Sequence, residues 1–219
     1  MKKIYAVNGS PRSNGNTAKI LQSALKGAES QGVKTELINL GELNFSGCKS
    51  CFCCKLKNSP NEGRCALQDD LTAILEKIID SDGLIMGSPI YFSAESGLYR
   101  NFLERLFFPL LKYSNPATSL APKKFDVSFV FTMNVPEQVM IDNGYCRHLE
   151  GTLRFPKLIF GSENVEALYI NDTFQFSDYA KYESDMFNPE HKAEIRATQF
   201  PKDLQKAFAL GKRMALNIK

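Results

Sequence analysis

The chain has 219 residues, 27 of them basic and 24 acidic, for a net charge of +3. That length suits one large domain, or a domain with an extension, with a full core. The small charge excess, with no basic run beyond Lys123-Lys124, offers no stripe for a polyanion, so no nucleic-acid partner is expected. No stretch reaches the ~18 apolar residues of a membrane span, and the apolar run after Met1-Lys2-Lys3 is shorter than the ~7–15 residues of a secretory leader. A cytoplasmic protein with no membrane partner is therefore expected. In that reducing setting the six cysteines are expected as thiols, metal ligands or redox groups rather than disulfides.

Residues 4–7 (Ile-Tyr-Ala-Val) are an apolar run of the kind that forms a buried parallel strand. The run breaks into Asn8-Gly9-Ser10-Pro11-Arg12-Ser13-Asn14-Gly15-Asn16-Thr17. A periodic segment follows, with Ala18, Leu21, Leu25 and Ala28 on one helical face. Strand, polar glycine-containing loop and helix start are the parts of an anion site, because loop N–H groups turn inward and the helix adds its positive dipole end. Ser10, Ser13, Asn16 and Thr17 can hydrogen-bond, and Arg12 brings charge, which suits a phosphate. An ordinary βα turn with an Asn/Thr cap is the plain alternative. Two common phosphate loops are absent: there is no Gly-x-x-x-x-Gly-Lys-Ser/Thr, and Gly9 and Gly15 do not form Gly-x-Gly-x-x-Gly. Gly9-Ser10-Pro11-Arg12 followed by Gly15-Asn16-Thr17 resembles the FMN phosphate loop of the flavodoxin-like NAD(P)H-dependent FMN reductases and their iron–sulfur flavoprotein relatives.

Gln31-Gly32 stops the first helix, and residues 35–40 read as the second strand. The cysteine segment spans residues 47–65. Asp69-Asp70 opens the next helix, where carboxylates suit an N-terminus, with Leu71, Ile74, Leu75, Ile78 and Ile79 on its apolar face. Residues 84–87 read as a buried strand and residues 88–93 as the loop at its carboxyl end. A long helix over 96–111 carries Leu98, Phe102, Arg105 and Leu106 on one side, widened by Leu103, Phe107, Leu110 and Leu111. So broad a stripe hints at a subunit interface, and a homodimer or homotetramer is expected. Residues 115–122 read as a linker, 125–133 as a strand rich in β-formers, 139–160 as containing a helix, and 164–170 as the last strand. Residues 171–201 are polar but interleaved with Phe174, Phe176, Tyr179, Tyr182 and Phe187, too aromatic for a disordered tail. They are expected as an arm that packs on a neighbouring subunit or covers the ligand. The segment 201–219 has a helical face of Leu204, Phe208, Leu210-Gly211 and Met214-Ala215.

Five alternations of strand and helix give an α/β fold with a parallel sheet and helices on both faces. The flavodoxin-like doubly wound five-stranded order 2-1-3-4-5 is the simplest assignment. Residues 1–170 would form that FMN-binding domain, with 171–219 an arm and helix that complete it. The loops 9–17 and 88–93 then meet at the switch point between strands one and three, where such folds bind ligands.

In Ser88-Pro89-Ile90-Tyr91-Phe92-Ser93, two aromatics sit in a loop, and a flat ligand ring is one reason for them; a loop tucked under the next helix is the other. The resemblance extends through Gly97-Leu98 and Phe102-Leu103-Glu104-Arg105. It implies that Pro89, Ile90, Tyr91, Phe92 and Ser93 contact the isoalloxazine ring of FMN. It also implies a third loop at Thr132-Met133-Asn134-Val135-Pro136, with Thr132 and Met133 in contact. Family members often carry glycines in that loop and this chain has none, so access to the ring would be narrower. The implied activity is transfer of hydride from NADH or NADPH, through FMN, to a small acceptor such as a quinone, free flavin, nitroaromatic or azo compound. No acid–base residue is required for that transfer, so no catalytic residue is named.

Cys48, Cys51 and Cys54 follow the Cys-x2-Cys-x2-Cys run of the iron–sulfur relatives, with Cys65 as a fourth ligand. The ten-residue gap before Cys65 is longer than those relatives use, and many cluster-free reductases share the segment. Three readings stay open: a thiol-rich loop without metal, placed first and including a Cys51/Cys54 redox pair; an iron–sulfur cluster serving electron transfer with ferredoxin-like partners; and zinc. A non-enzymatic sensor of a phosphorylated ligand is a further alternative. Cys146, His148 and His191 are scattered and read as structural or surface groups.

Overall fold

The computed structural model describes residues 1–218. In chain order its elements are β1 (Lys3–Asn8), α1 (Asn16–Glu29), β2 (Lys34–Asn39), α2 (Leu71–Ile79), β3 (Gly83–Tyr91), β4 (Ala94–Glu95) and α3 (Gly97–Leu110). There follow β5 (Leu111–Lys112), β6 (Thr118–Ser119), β7 (Asp126–Thr132), α4 (Glu137–Asp142), α5 (Tyr145–Phe160), β8 (Glu166–Ile170), α6 (Pro189–Thr198) and α7 (Phe200–Asn217).

The side chains of β1 alternate between two cores, which is why this strand is apolar throughout. Ile4 and Ala6 join one core, and Tyr5 and Val7 join the other. The five long strands pair in parallel in the order β2-β1-β3-β7-β8. This is the expected 2-1-3-4-5 order. Helices α1 and α7 cover one face, and α2, α3 and α5 cover the other. Among the described residues no helix is long and apolar enough to cross a membrane.

The last helix departs from its expected face. Phe208 is partly exposed, and Ala207, Leu210, Gly211 and Met214 form the buried stripe. The cause is how closely α7 approaches α1. A methyl group at Gly211 would lie 1.7 Å from the Ala24 carbonyl oxygen, and one at Gly27 would lie 2.0 Å from that of Phe208. Only glycine fits at this crossing, so the large Phe208 ring turns outward.

Three other regions differ from the expected elements. β3 runs on to Tyr91 and folds back on β4 in a hairpin, so residues 88–91 are strand rather than loop. Pro89 is tolerated because β1 stops pairing with β3 at Gly87, which leaves that edge without a ladder bond to lose. The region 139–160, expected to contain a helix, holds two, α4 and α5, separated at Gly144, whose φ of +64° lies in the left-handed region. Within the expected linker 115–122, β6 pairs with β5. The arm is an ordered chain: Phe176 stacks on Tyr182, and Phe174 and Phe176 both pack edgewise on Tyr179.

Candidate cofactor-binding site

The carboxyl ends of β1, β3 and β7 open into one cavity of about 570 Å³, within the usual range for small-molecule sites. Its first wall is the loop after β1. Asn8, fully buried, accepts from the Ser10 amide (3.1 Å) and donates to the Arg12 carbonyl (3.4 Å) and to Asn39 of β2 (3.0 Å). The Ser10 hydroxyl accepts from the Arg12 amide at 3.1 Å, and the Gly15 amide donates to the Arg12 carbonyl at 3.2 Å. These short-range bonds wind the loop tightly and deliver Asn16 and Thr17 at the first turn of α1. That helix start has no side-chain cap and no acidic residue in its first turn, which leaves its positive end available to an anion.

The second wall is tied directly to the first. The Gly9 amide donates to the Gly87 carbonyl at 2.7 Å, and the Ser96 hydroxyl donates to the Gly9 carbonyl at 2.7 Å. Gly9 must lack a side chain, since a methyl there would lie 2.6 Å from Tyr99 Cβ. From this base the β3–β4 hairpin presents Tyr91 and Phe92. Its two turn residues, Phe92 and Ser93, have φ of +50° and +65°, left-handed conformations that cost non-glycine residues about 1–3 kcal/mol each. The turn holds the Phe92 ring entirely in solvent, at 103% relative exposure.

The third wall starts at Thr132, whose hydroxyl meets that of Thr17 at 2.8 Å across the crevice, both side chains buried. Met133 is buried beside it, and Asn134 carries a buried Oδ1 with no protein partner.

Of the twelve residues singled out from the sequence, ten line this cavity: Ser10, Arg12, Asn16 and Thr17; Pro89, Ile90, Tyr91 and Phe92; and Thr132 and Met133. Ser13 and Ser93 are not in its lining. Ser13 sits in the half-buried turn before the helix, and Ser93 is the second turn residue of the hairpin. Asn134 of the expected third loop and Phe187 of the expected arm complete the wall, together with Thr173, Gln175 and Met186, which carry no individual signal in the sequence. Thr173, Gln175, Met186 and Phe187 all lie on the aromatic-rich arm, which its composition marks as a cover for the ligand. Arg12 donates to the Gln175 carbonyl at 2.9 Å and Asn16 to the Phe174 carbonyl at 2.8 Å, so the arm is fastened to the same side chains that were read as phosphate ligands.

The cysteine segment lies beside α3, away from this cavity. Cys48, Cys51, Cys54 and Cys65 share one small crevice with Arg105, and Cys53 is outside it. Thiolate donors of this number suit an iron–sulfur cluster or zinc. Yet among the described residues no three His, Cys, Asp or Glu side chains are placed to hold a metal ion, so this conformation does not form the site. Cys53 hydrogen-bonds to Cys51, pushing the Cys51 thiol down and its own up, while burial pushes Cys54 up. Arg105, fully buried, clamps both ends of the segment. Its guanidinium donates to the Ser46 carbonyl (2.9 Å), the Leu67 carbonyl (3.3 Å) and both oxygens of Asp69 (2.7 and 3.1 Å).

Comparison with known proteins agrees with this geometry. An iron–sulfur flavoprotein of Methanocaldococcus jannaschii is 36% identical over 103 residues, covering 47% of this chain and 51% of that protein. Another, of Clostridioides difficile, is 37% identical over 122 residues, covering 53% and 52%. The chain thus spans about half the length of the curated relatives it matches. In solved structures, the fold resembles an NAD(P)H:quinone oxidoreductase from Methanothermobacter marburgensis, with TM-score 0.70, 14% identity, and 96% and 98% of the two chains covered. It also resembles an FMN-dependent NADH-azoreductase from Bacillus anthracis, with TM-score 0.65, 11% identity, and 98% and 100% covered. The family model for NADPH-dependent FMN reductase matches residues 2–124, more than half of the chain. On that match, and with a cavity built from the three strand ends it would require, this chain belongs to the NADPH-dependent FMN reductase family.

Proposed function

We propose that the chain is an FMN-dependent oxidoreductase that takes hydride from NADH or NADPH and passes electrons to a small acceptor: a quinone, free flavin, nitroaromatic or azo compound. The observation that carries this reading is the convergence of three loops on one cavity with a polar, cationic end and an aromatic end. At the polar end Ser10, Asn16, Thr17 and the open start of α1 would hold the phosphate, with Arg12 adding charge. At the other end Tyr91 and Phe92 offer aromatic faces to the ring. The buried, unpartnered Asn134 Oδ1 is an acceptor waiting for a donor, and the N–H of a flavin pyrimidine edge is one.

FMN, when bound, supplies the two-electron chemistry. The chain's part is to grip the phosphate, fix the ring between β3 and β7 loops, and leave one face open to donor and acceptor in turn. That alternation predicts ping-pong kinetics. The test is direct: anaerobic NADH or NADPH should bleach the visible flavin absorbance of the purified protein, and a yellow protein inert to both would reject the reductase reading. An apolar groove of about 230 Å³ between α3 and α5, flanked by exposed Phe155 and Leu158, supports a homo-oligomer.

A second reading, electron transfer through an iron–sulfur cluster, is supported by the shared crevice of Cys48, Cys51, Cys54 and Cys65 and by the names of the relatives. Its thiols must move to converge on a metal. Iron and acid-labile sulfide after anaerobic purification would favour it, and their absence would retire it.

A further inference from the structure

We infer that the C-terminal arm, residues 171–199, selects the electron acceptor, by placing Met186 and Phe187 as one wall of an apolar slot for a neutral, planar aromatic acceptor of the quinone class. This rests on the oxidoreductase reading above and adds the residues that read the acceptor.

Met186 and Phe187 line the same cavity as Tyr91 and Phe92. Met186 is 84% exposed and Phe92 fully so. Large apolar groups held in water are unfavourable, and at Phe92 backbone strain is added. The exposure penalty is removed when a flat apolar molecule covers the side chains. A thioether and aromatic faces suit such a molecule particularly well.

The arm is anchored on both sides of this pair. Before it, the Gln175 and Phe174 carbonyls accept from Arg12 and Asn16. After it, the buried Lys192 ammonium donates to Asp172 and to the Asn134 carbonyl of the third loop. His191 meets the other Asp172 oxygen at 2.6 Å, and Lys192 also lies 5.5 Å from the Phe187 ring centre. Met186 and Phe187 are therefore carried on a strap pinned to the cofactor cradle.

The lining also sets the charge of the acceptor. Among the described residues Arg12 is its one charged lining side chain, and it belongs to the phosphate end. The cation near the aromatic end, Lys192 behind the Phe187 ring, is buried and already paired with Asp172, so it is not free to pair with an ionic acceptor. Moreover, the family match stops at residue 124. The cradle loops after β1 and β3 lie inside the matched segment, and the third loop and the arm lie outside it. In the reaction NAD(P)H is oxidised to NAD(P)+, and the quinone takes up two electrons and two protons. One proton travels with the hydride and the other comes from water.

The test compares the FMN-loaded wild type with Met186→Ser and Phe187→Ala. Menadione binding to the oxidised protein, without NAD(P)H, is measured by calorimetry. The ratio of kcat/KM for menadione to that for ferricyanide, a small anionic acceptor that needs no slot, is measured alongside. Each variant should weaken menadione binding about tenfold and lower the ratio by a similar factor. Met186 is exposed, so its replacement leaves folding intact even if Phe187→Ala does not. Unchanged menadione affinity and ratio in Met186→Ser would overturn the inference while leaving the reductase reading standing. Menadione binding that weakens in the variants of a protein that NAD(P)H cannot reduce would leave the slot standing but overturn the reductase reading, and with it the slot's use for an electron acceptor.

Discussion

Asp69→Asn leaves the buried Arg105 guanidinium without its carboxylate while preserving the side chain's shape. The pair is bidentate, at 2.7 and 3.1 Å, with Arg105 fully buried and the Asp69 side chain 17% exposed. Removing one partner of a buried pair costs about 3–5 kcal/mol. The partial exposure of Asp69 and the acceptor that Asn retains bring the expectation to about 2–3 kcal/mol. For a chain of this size that corresponds to a fall in Tm of roughly 4–12 °C, measured by far-UV circular dichroism. The pH dependence has a definite sign. Hydrogen bonds from Arg105 hold the Asp69 carboxyl below its usual range. The stabilisation is therefore complete above the unfolded carboxylate value of ~3.9 and is lost as pH falls through the lower folded value. The gap between wild type and variant should close on the acid side and persist at neutral pH. A Tm change below about 2 °C at pH 7, or a gap that widens in acid, would refute the reasoning.

Gly211→Ala drives a methyl group into the Ala24 carbonyl and should cost at least about 1–3 kcal/mol in urea unfolding, whereas Gly97→Ala, with nothing within 4 Å of the added methyl, should be neutral or stabilising. Thr17→Val removes the hydroxyl that meets Thr132 at 2.8 Å inside the cavity and should weaken FMN binding about tenfold in a fluorescence titration, near 1.4 kcal/mol. Phe92→Asn puts a residue suited to left-handed turns at φ +50° and should raise stability by about 1 kcal/mol while weakening acceptor binding; a lower Tm would contradict the strain assigned to this hairpin.

The sheet order was legible because each strand's apolar run is set off by a helix of clear period, and because both suspicious loops leave strands that the order places side by side. The site was legible where its residues are local, as in residues 10–17. It was opaque where long-range contacts decide. Nothing near Pro89 announces that β1 has stopped pairing by that point, so the strand was read as a loop. Phe208 has the spacing of a core residue, and only the approach of α1, invisible in the local pattern, turns it outward. Arg105 was placed on an apolar stripe, but its partner lies 36 residues away, and Asp69 was read as a helix cap. It does accept from the Leu71 amide at 3.1 Å and serves the buried charge as well. The arm's aromatics stand out in the sequence, but its carbonyl contacts with Arg12 and Asn16 span about 160 residues and leave no sequence signature.

The central claim is that the start of α1 and the loop before it grip a phosphate whose attached ring rests by Tyr91 and Phe92. Titration of the flavin-free protein with FMN and, separately, riboflavin, followed by quenching of flavin fluorescence, tests it most directly. The account predicts one FMN per chain and riboflavin bound at least about a hundredfold more weakly, since the phosphate would carry ~2.7 kcal/mol or more of the binding. Equal affinities for the two, or no binding of either, would contradict it.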